Sequence, residues 1–236
     1  MRSSSIWTGL AAGLAAGLLA GAFGLLVGGP SMEHAIALEE AAAHGQAHDE
    51  GLPRWLQQAG LVVGSGLVGG VVGAMFGVAF AWSVSRLRGD AWARSLKLGA
   101  VLIGAFVLMP ALVAPPNPPG VGDPEMVAGR TVSYLGSIVV GLLLAGAAWT
   151  AGRWLQEHTR LHAPVRQTVL GVVMVAAGLG FVALVAGPGA PAAVPAELLW
   201  SFRLAAVATQ AVLYAGLAVI FGLLTTRAQR PAAVTR

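Results

Sequence analysis

The sequence predicts an all-α integral membrane protein, a polytopic bundle of about six transmembrane helices. Two observations predict this fold class. Of the 236 residues 56% are hydrophobic and only 10% are charged, and the mean hydropathy is +0.75, whereas soluble domains carry about 25% charged residues. In addition, six segments without an acidic residue reach the length of about 20 apolar residues that a helix needs to cross a hydrocarbon core of about 30 Å.

The six predicted spans follow one another along the chain. They cover residues 6–28, 60–84, 96–114, 132–152, 168–186 and 199–224. The apolar run of the first span is longer than the roughly 7–15 residues of a signal-peptide core, so we interpret it as a membrane helix. The spans form one predicted transmembrane domain over residues 1–228, with an outer loop at 29–59 and a tail at 229–236. They leave no room for a soluble domain.

The distribution of charge predicts which side of the membrane each connection faces. Lys and Arg are retained in the cytoplasm, and six spans place both termini on the same side. The connections on that side hold most of the basic residues: Arg2, Arg86, Arg88, Arg94, Lys97, Arg153, Arg160, Arg166, Arg227, Arg230 and Arg236. We therefore predict cytoplasmic N- and C-termini. The basic residues are spread over short loops without interleaved aromatics, which argues against nucleic-acid binding.

Glycines recur every four residues in the first two spans. In "GLAAGLAAGLLAG" and "GGVVGAMFG" they are Gly9, Gly13, Gly17 and Gly21, followed by Gly69, Gly73 and Gly77. In lipid, faces of small residues permit two helix backbones to approach closely. Two interpretations are open: ordinary helix packing within the bundle, and a glycine-lined pore or a face for a partner subunit.

The sequence contains no motif of the common enzyme classes. It has no GxxxxGK[ST] loop, GxSxG elbow or HExxH pair, and no cysteine, so we predict neither enzymatic activity nor a tightly bound cofactor. The six spans hold no Asp, Glu or His, which leaves no acidic or histidine proton relay within the membrane. Arg203 and Gln210 of the last span are candidate pathway or gate residues. Alternatively, Arg203 anchors the helix at the interface, and Gln210 forms an interhelical hydrogen bond.

The stretch "EHAIALEEAAAHGQAHDE", residues 33–50, combines histidines with acidic residues. Its alanines predict a helix over about residues 32–44. If that helix continued past Gly45, four residues would fall within about 80° of arc: Glu33, Glu40, His44 and His48. Imidazole and carboxylate ligands suit cobalt(II), nickel(II) or zinc(II). The alternative is an acidic loop that is merely solvated.

The order of these features resembles the CbtA family, described as probable cobalt transporter subunits. The resemblance rests on the Gly/Ala-rich first span, "ALEEAAAHGQAHDE", the stiff turn "PPNPPGVGDPE" and the last span "VPAELLWSFRLAAVATQAVLYAGL", and it covers nearly the whole chain. It implies a bacterial inner-membrane protein that is linked to cobalt supply for cobalamin synthesis. It also implies a partner, CbtB, a small single-span subunit with a histidine-rich end.

The resemblance adds roles for particular residues. It implies metal ligation by the glutamate pair and the histidines that follow it, and it adds Glu197 to the candidate pathway residues. When the residues that share one face of the predicted helix are included, the candidate metal ligands are Glu33, His34, Glu39, Glu40, His44 and His48. We therefore expect a subunit of a cobalt(II) or nickel(II) uptake transporter that captures metal at the outer loop and passes it through the Gly-rich bundle. The alternative is a non-transporting scaffold or assembly subunit.

Overall fold

The computed structural model describes residues 2–42, 52–119, 121, 124–185 and 195–229, and this part of the chain is helical without strands. Six of its helical segments are long and apolar enough to cross a membrane, which confirms the predicted fold class. The helices are α1 (Arg2–Ala42), α2 (Arg54–Ser83), α3 (Ala91–Leu102), α4 (Met109–Val113), α5 (Val127–His158), α6 (Ala163–Val185) and α7 (Ala196–Ala228). A π-helical segment, Ile103–Leu108, joins α3 to α4 within one span.

The first helix is longer than the predicted first span. It does not end at residue 28 but continues through Pro30 to Ala42, so the first part of the predicted outer loop is helical. Pro30 removes one hydrogen-bond donor from the helix, but the alanines, leucine and glutamates that follow are strong helix formers. The helix predicted over residues 32–44 is therefore a continuation of α1 as far as Ala42. Apolar composition marks the membrane-spanning part of a helix and not its end.

The helices form two compact units, of which the first contains α1, α2, α3 and α7 together with Pro118 and Pro119. Within this unit α1 and α7 are antiparallel. Near one end Gly216 approaches Ala16, and further along α1 Gly24 approaches Thr209. The beginning of α1 and the end of α7 therefore lie at the same end of the first unit. Which side of the membrane this end faces remains a prediction.

Helices α1 and α2 pack backbone to backbone in what we call the glycine seam, formed by the seven glycines at every fourth position together with Ser65. A Cβ added at Gly13 would lie 2.8 Å from the Cα of Gly73, and one added at Gly69 would lie 2.7 Å from the Cα of Gly17. Non-bonded carbons pack at about 3.5–4.0 Å, so no side chain fits between the helices. The glycine faces lie against each other, as the packing interpretation expects.

Beside the seam, at the end where α1 begins, the first unit has an aromatic core. Phe76 and Phe80 of α2 contact Phe221 of α7, with ring centroids 5.1 Å and 4.8 Å apart, and we call these residues the phenylalanine cluster. All three side chains are buried. The hydroxyl of Ser95 in α3 donates to the carbonyl of Ala218 in α7 at 2.6 Å. These contacts fill the space between the helices at this end.

The second unit contains the rest of the third span together with α5 and α6. Pro110 lacks an N–H group and its ring crowds the carbonyl four residues earlier, which explains why the helix widens over Ile103–Leu108. A Cβ added at Gly141 of α5 would lie 2.7 Å from the Cα of Ala105. Large apolar side chains along α5 and α6 are exposed in the described part of the unit, as expected for helices that face lipid.

Candidate functional site

A series of three neighbouring cavities lies along α1, α2 and α7 in the first unit. The mouth cavity, of about 290 Å³, is lined by Glu33, Ile36, Ala37, Glu40, Arg54 and Gln57. The central cavity, of about 870 Å³, shares Glu33, Ile36, Arg54 and Gln57 with it and extends to Thr209 and Gln210. The deep cavity, of about 360 Å³, shares Leu61, Thr209 and Gln210 with the central one and reaches Gly17. The shared residues show that the cavities follow one another.

The mouth and central cavities lie beyond the end of the glycine seam. A Cβ added at Gly21 would still lie 2.9 Å from the Cα of Val62, whereas one added at Gly29, Gly60 or Gly64 would meet no described atom within 4 Å. Two helices that cross at an angle separate with distance from their closest contact. The divergence of α1 and α2 beyond Gly21 therefore accounts for the mouth and central cavities, whereas the deep cavity lies beside the seam at the level of Gly17 and Ser65.

The mouth cavity carries charged groups from two helices. Glu33 and Glu40 lie two turns apart on α1 and line this cavity together with Arg54 from the first turn of α2. Arg54 Nη1 donates to Gln57 Oε1 at 3.2 Å, and Gln57 Nε2 donates to the Leu52 carbonyl at 2.7 Å. Two carboxylates and one guanidinium leave a net charge of about −1 at the mouth, which favours cations.

The deeper lining is polar but neutral. Ser65, Thr209 and Gln210 line the deep cavity, and Thr209 Oγ1 donates to the Ala205 carbonyl at 2.8 Å. Within the described ranges Gln210 has no side-chain hydrogen-bond partner, although it lies midway along a membrane-spanning helix. An amide without a partner in a membrane costs several kcal/mol, typically about 2–7 kcal/mol. This amide therefore requires a partner in the cavity, either water or a ligand.

The structure separates the predicted metal ligands. Glu33 and Glu40 line the mouth cavity, whereas His34 is exposed on another face of α1 and lines none of the three cavities. No group of three or more His, Asp or Glu that could hold a metal ion occurs in the part of the chain that the structure describes. Three candidates cannot be placed because they lie outside the described residues: the side chain of Glu39, and His44 and His48.

The candidate pathway residues on α7 also differ in position. Gln210 lines the central and deep cavities. Arg203 is partly buried and lines none of the three cavities, and Glu197 is exposed in the first turn of α7, where a carboxylate interacts favourably with the helix dipole. Sequence reasoning did not single out Arg54, Gln57 or Gln58. Their position directly before a Gly-rich span did not distinguish them, because polar side chains are ordinary at the start of a helix.

Comparisons with known proteins identify one family. A family model described as "Probable cobalt transporter subunit (CbtA)" matches residues 3–226 of this chain. No curated protein and no solved structure matches it. The family match covers all seven helices except the ends of α1 and α7, and it therefore includes all three cavities.

Proposed function

This chain belongs to the CbtA family of probable cobalt transporter subunits, and from this premise we propose that cobalt(II) enters the cell through its first unit. The protein is a multi-pass membrane protein. We place it in the bacterial inner membrane with both termini in the cytoplasm, because most of its basic residues lie in the connections at the ends that hold the termini. The mouth cavity then faces outward.

Capture of the ion is assigned to the mouth cavity and the segment that follows α1. Glu33 and Glu40 supply carboxylates at the mouth, and His44 and His48 follow Ala42 closely in sequence. Carboxylate and neutral imidazole both bind cobalt(II) and nickel(II). The observation that carries the proposal is that two of the predicted ligands, Glu33 and Glu40, line the entrance to a series of cavities.

Onward movement is assigned to the central and deep cavities. From Glu33 to Gly17 the cavities follow α1 for about 24 Å at 1.5 Å per residue, which is most of a hydrocarbon core of about 30 Å. The deep lining offers Ser65, Thr209 and Gln210 as neutral polar groups. Beyond Gly17 the glycine seam and the phenylalanine cluster fill the space. The described residues thus support an entrance at the Glu33 end and a filled end beyond Gly17.

A partner subunit completes the proposal. The family description names a transporter subunit, and we assign to the partner the form of a CbtB-like single-span protein with its own histidines. Such a chain would add ligands to the few that this protein contributes.

The proposal is tested by uptake of radioactive cobalt in cells that express the chain with its single-span partner. At limiting cobalt, the double variant His44→Ala/His48→Ala is expected to take up less metal at unchanged abundance in the membrane. The matched control is His158→Ala/His162→Ala, which removes two histidines at the same spacing from the end of α5 and the connection to α6. Unchanged uptake in the first variant would remove the loop from the mechanism. Accumulation equal to that of empty-vector cells would reject transport and favour a scaffold.

A further inference from the structure

We propose that the central and deep cavities carry a divalent cation with its first shell of water molecules intact. The inference rests on the proposed function and deepens it by naming the chemical form of the ion. It is carried by three properties of the first unit: the polar groups that line the cavities, their size, and the Gln210 amide for which the described residues provide no partner.

The lining cannot replace a shell of water molecules. Arg54 and Gln57 lie at the mouth together with Glu33. Further from the mouth, the polar side chains that line the central and deep cavities are Gln58, Ser65, Thr209 and Gln210. Small divalent cations that prefer six oxygen ligands lose water reluctantly, and a dehydrated ion needs ligands that offset its lost hydration. A few neutral groups spread over two cavities do not provide such a site.

The cavities are large enough for the hydrated ion. One water molecule occupies about 30 Å³, so six of them occupy about 180 Å³. The mouth, central and deep cavities have volumes of about 290, 870 and 360 Å³. Each of these volumes exceeds that of six water molecules, so the space in the cavities does not require the ion to lose its shell.

The polar groups suit hydrogen bonds to metal-bound water. Water on a cation is a strong donor, and carboxylates and amide oxygens accept such bonds. Glu33 and Glu40 are acceptors at the mouth, and Gln58 and Gln210 offer amide oxygens further in. The Gln210 oxygen thereby gains the partner that the described residues do not provide. Arg54 opposes direct coordination beside it, because its positive charge repels a bare cation more strongly at close range.

The experiment uses hexaamminecobalt(III), a complex that does not exchange its six ammine ligands. It resembles a hydrated divalent cation in size and in its outward N–H donors, but its metal cannot coordinate a side chain. Its binding to the purified full-length protein in lipid nanodiscs is measured by calorimetry, and its inhibition of cobalt uptake is measured in cells. We expect binding and inhibition with the unaltered protein.

The variants distinguish bonds through the ligand shell from direct coordination. Glu33→Gln is expected to weaken hexaammine binding about tenfold, as the loss of a charge-assisted hydrogen bond does, and Gln210→Leu about threefold. His44→Ala/His48→Ala should leave hexaammine binding unchanged, because imidazole cannot enter the inert shell. Glu197→Gln is the matched control, since it removes an exposed carboxylate that lines none of the three cavities.

The outcomes separate this inference from the proposed function. Cobalt uptake without hexaammine binding or inhibition would show that the ion sheds its water, which overturns the inference and leaves the proposed function intact. Uptake at the empty-vector level would reject the proposed function, and calorimetry would still decide the inference: binding weakened by Glu33→Gln supports it, and no binding overturns it. Equal weakening by Glu197→Gln would indicate attraction to surface charge in general and would also overturn it.

Discussion

Replacing Gly13 by alanine is expected to force the glycine seam apart. The new Cβ would lie 2.8 Å from the Cα of Gly73 and closer still to the carbonyl oxygen of Gly69. Carbon atoms pack at about 3.5–4.0 Å, so the contact with the Gly73 Cα alone requires α1 and α2 to separate by about 0.7–1.2 Å at this level, and the closer carbonyl oxygen requires more. Because both neighbours are backbone atoms, no side chain can rotate to make room.

The separation weakens every contact at this level of the seam. A radial gap of 0.5–1 Å removes about a quarter to a half of the dispersion energy of each affected contact, and overpacking of a core costs about 1–3 kcal/mol. We therefore expect Gly13→Ala to lower the free energy of unfolding by about 2–3 kcal/mol. Gly64→Ala is the matched control, because its Cβ would meet no described atom within 4 Å. It is expected to leave the free energy of unfolding unchanged or to raise it by up to about 1 kcal/mol, because alanine loses less backbone entropy in a helix than glycine.

The measurement is unfolding by dodecyl sulfate in mixed micelles, followed by the fluorescence of the seven tryptophans. The unaltered protein, Gly13→Ala and Gly64→Ala are titrated under identical conditions, and the free energies of unfolding are compared. Equal values for the two alanine variants would refute the reasoning, because they would show that a methyl group fits in the seam as readily as in an open cavity.

Two further predictions concern single side chains. Arg54→Gln should lower the half-saturating cobalt concentration for uptake several-fold and also lower maximal uptake, because a more negative mouth holds the ion longer. The control Arg153→Gln, which removes an exposed arginine from α5, should change neither value. An unchanged half-saturating concentration in Arg54→Gln would contradict the role given to the mouth. Ser95→Ala removes the buried hydrogen bond to Ala218 and should reduce the free energy of unfolding by about 0.6–1.5 kcal/mol in the same titration. Ser133→Ala, whose hydroxyl has no partner in the described ranges, should have little effect, and equal losses would argue against the hydrogen bond.

The fold was predictable because the spans depend on local properties of the sequence. Length and apolarity identify a membrane helix without knowledge of its neighbours. The boundaries were not predictable in the same way. Helix α1 passes residue 28 and Pro30 and is described as far as Ala42, because helix propensity and not apolarity sustains a helix outside the membrane.

The cavities were harder to predict because they depend on how the helices are arranged. Glycines at every fourth position indicate a close contact, but they do not say which two faces meet or where the helices diverge. Gln210 could be singled out as an amide within an apolar helix, and it lines the cavities. Arg54 and Gln57 could not, because polar side chains at the start of a helix are ordinary until a second helix places Glu33 beside them.

Under the proposed function, the glycine seam limits the rate at which ions cross the membrane. A gate made of one side chain opens when a rotamer changes, which takes picoseconds to nanoseconds, but a barrier made of two backbones opens only when a helix moves, which takes microseconds to milliseconds. An ion that continues past Gly17 along the seam must wait for such a movement. Its passage is then limited to roughly a thousand to a million events per second. This is the range of a transporter that alternates between conformations and not of an open pore.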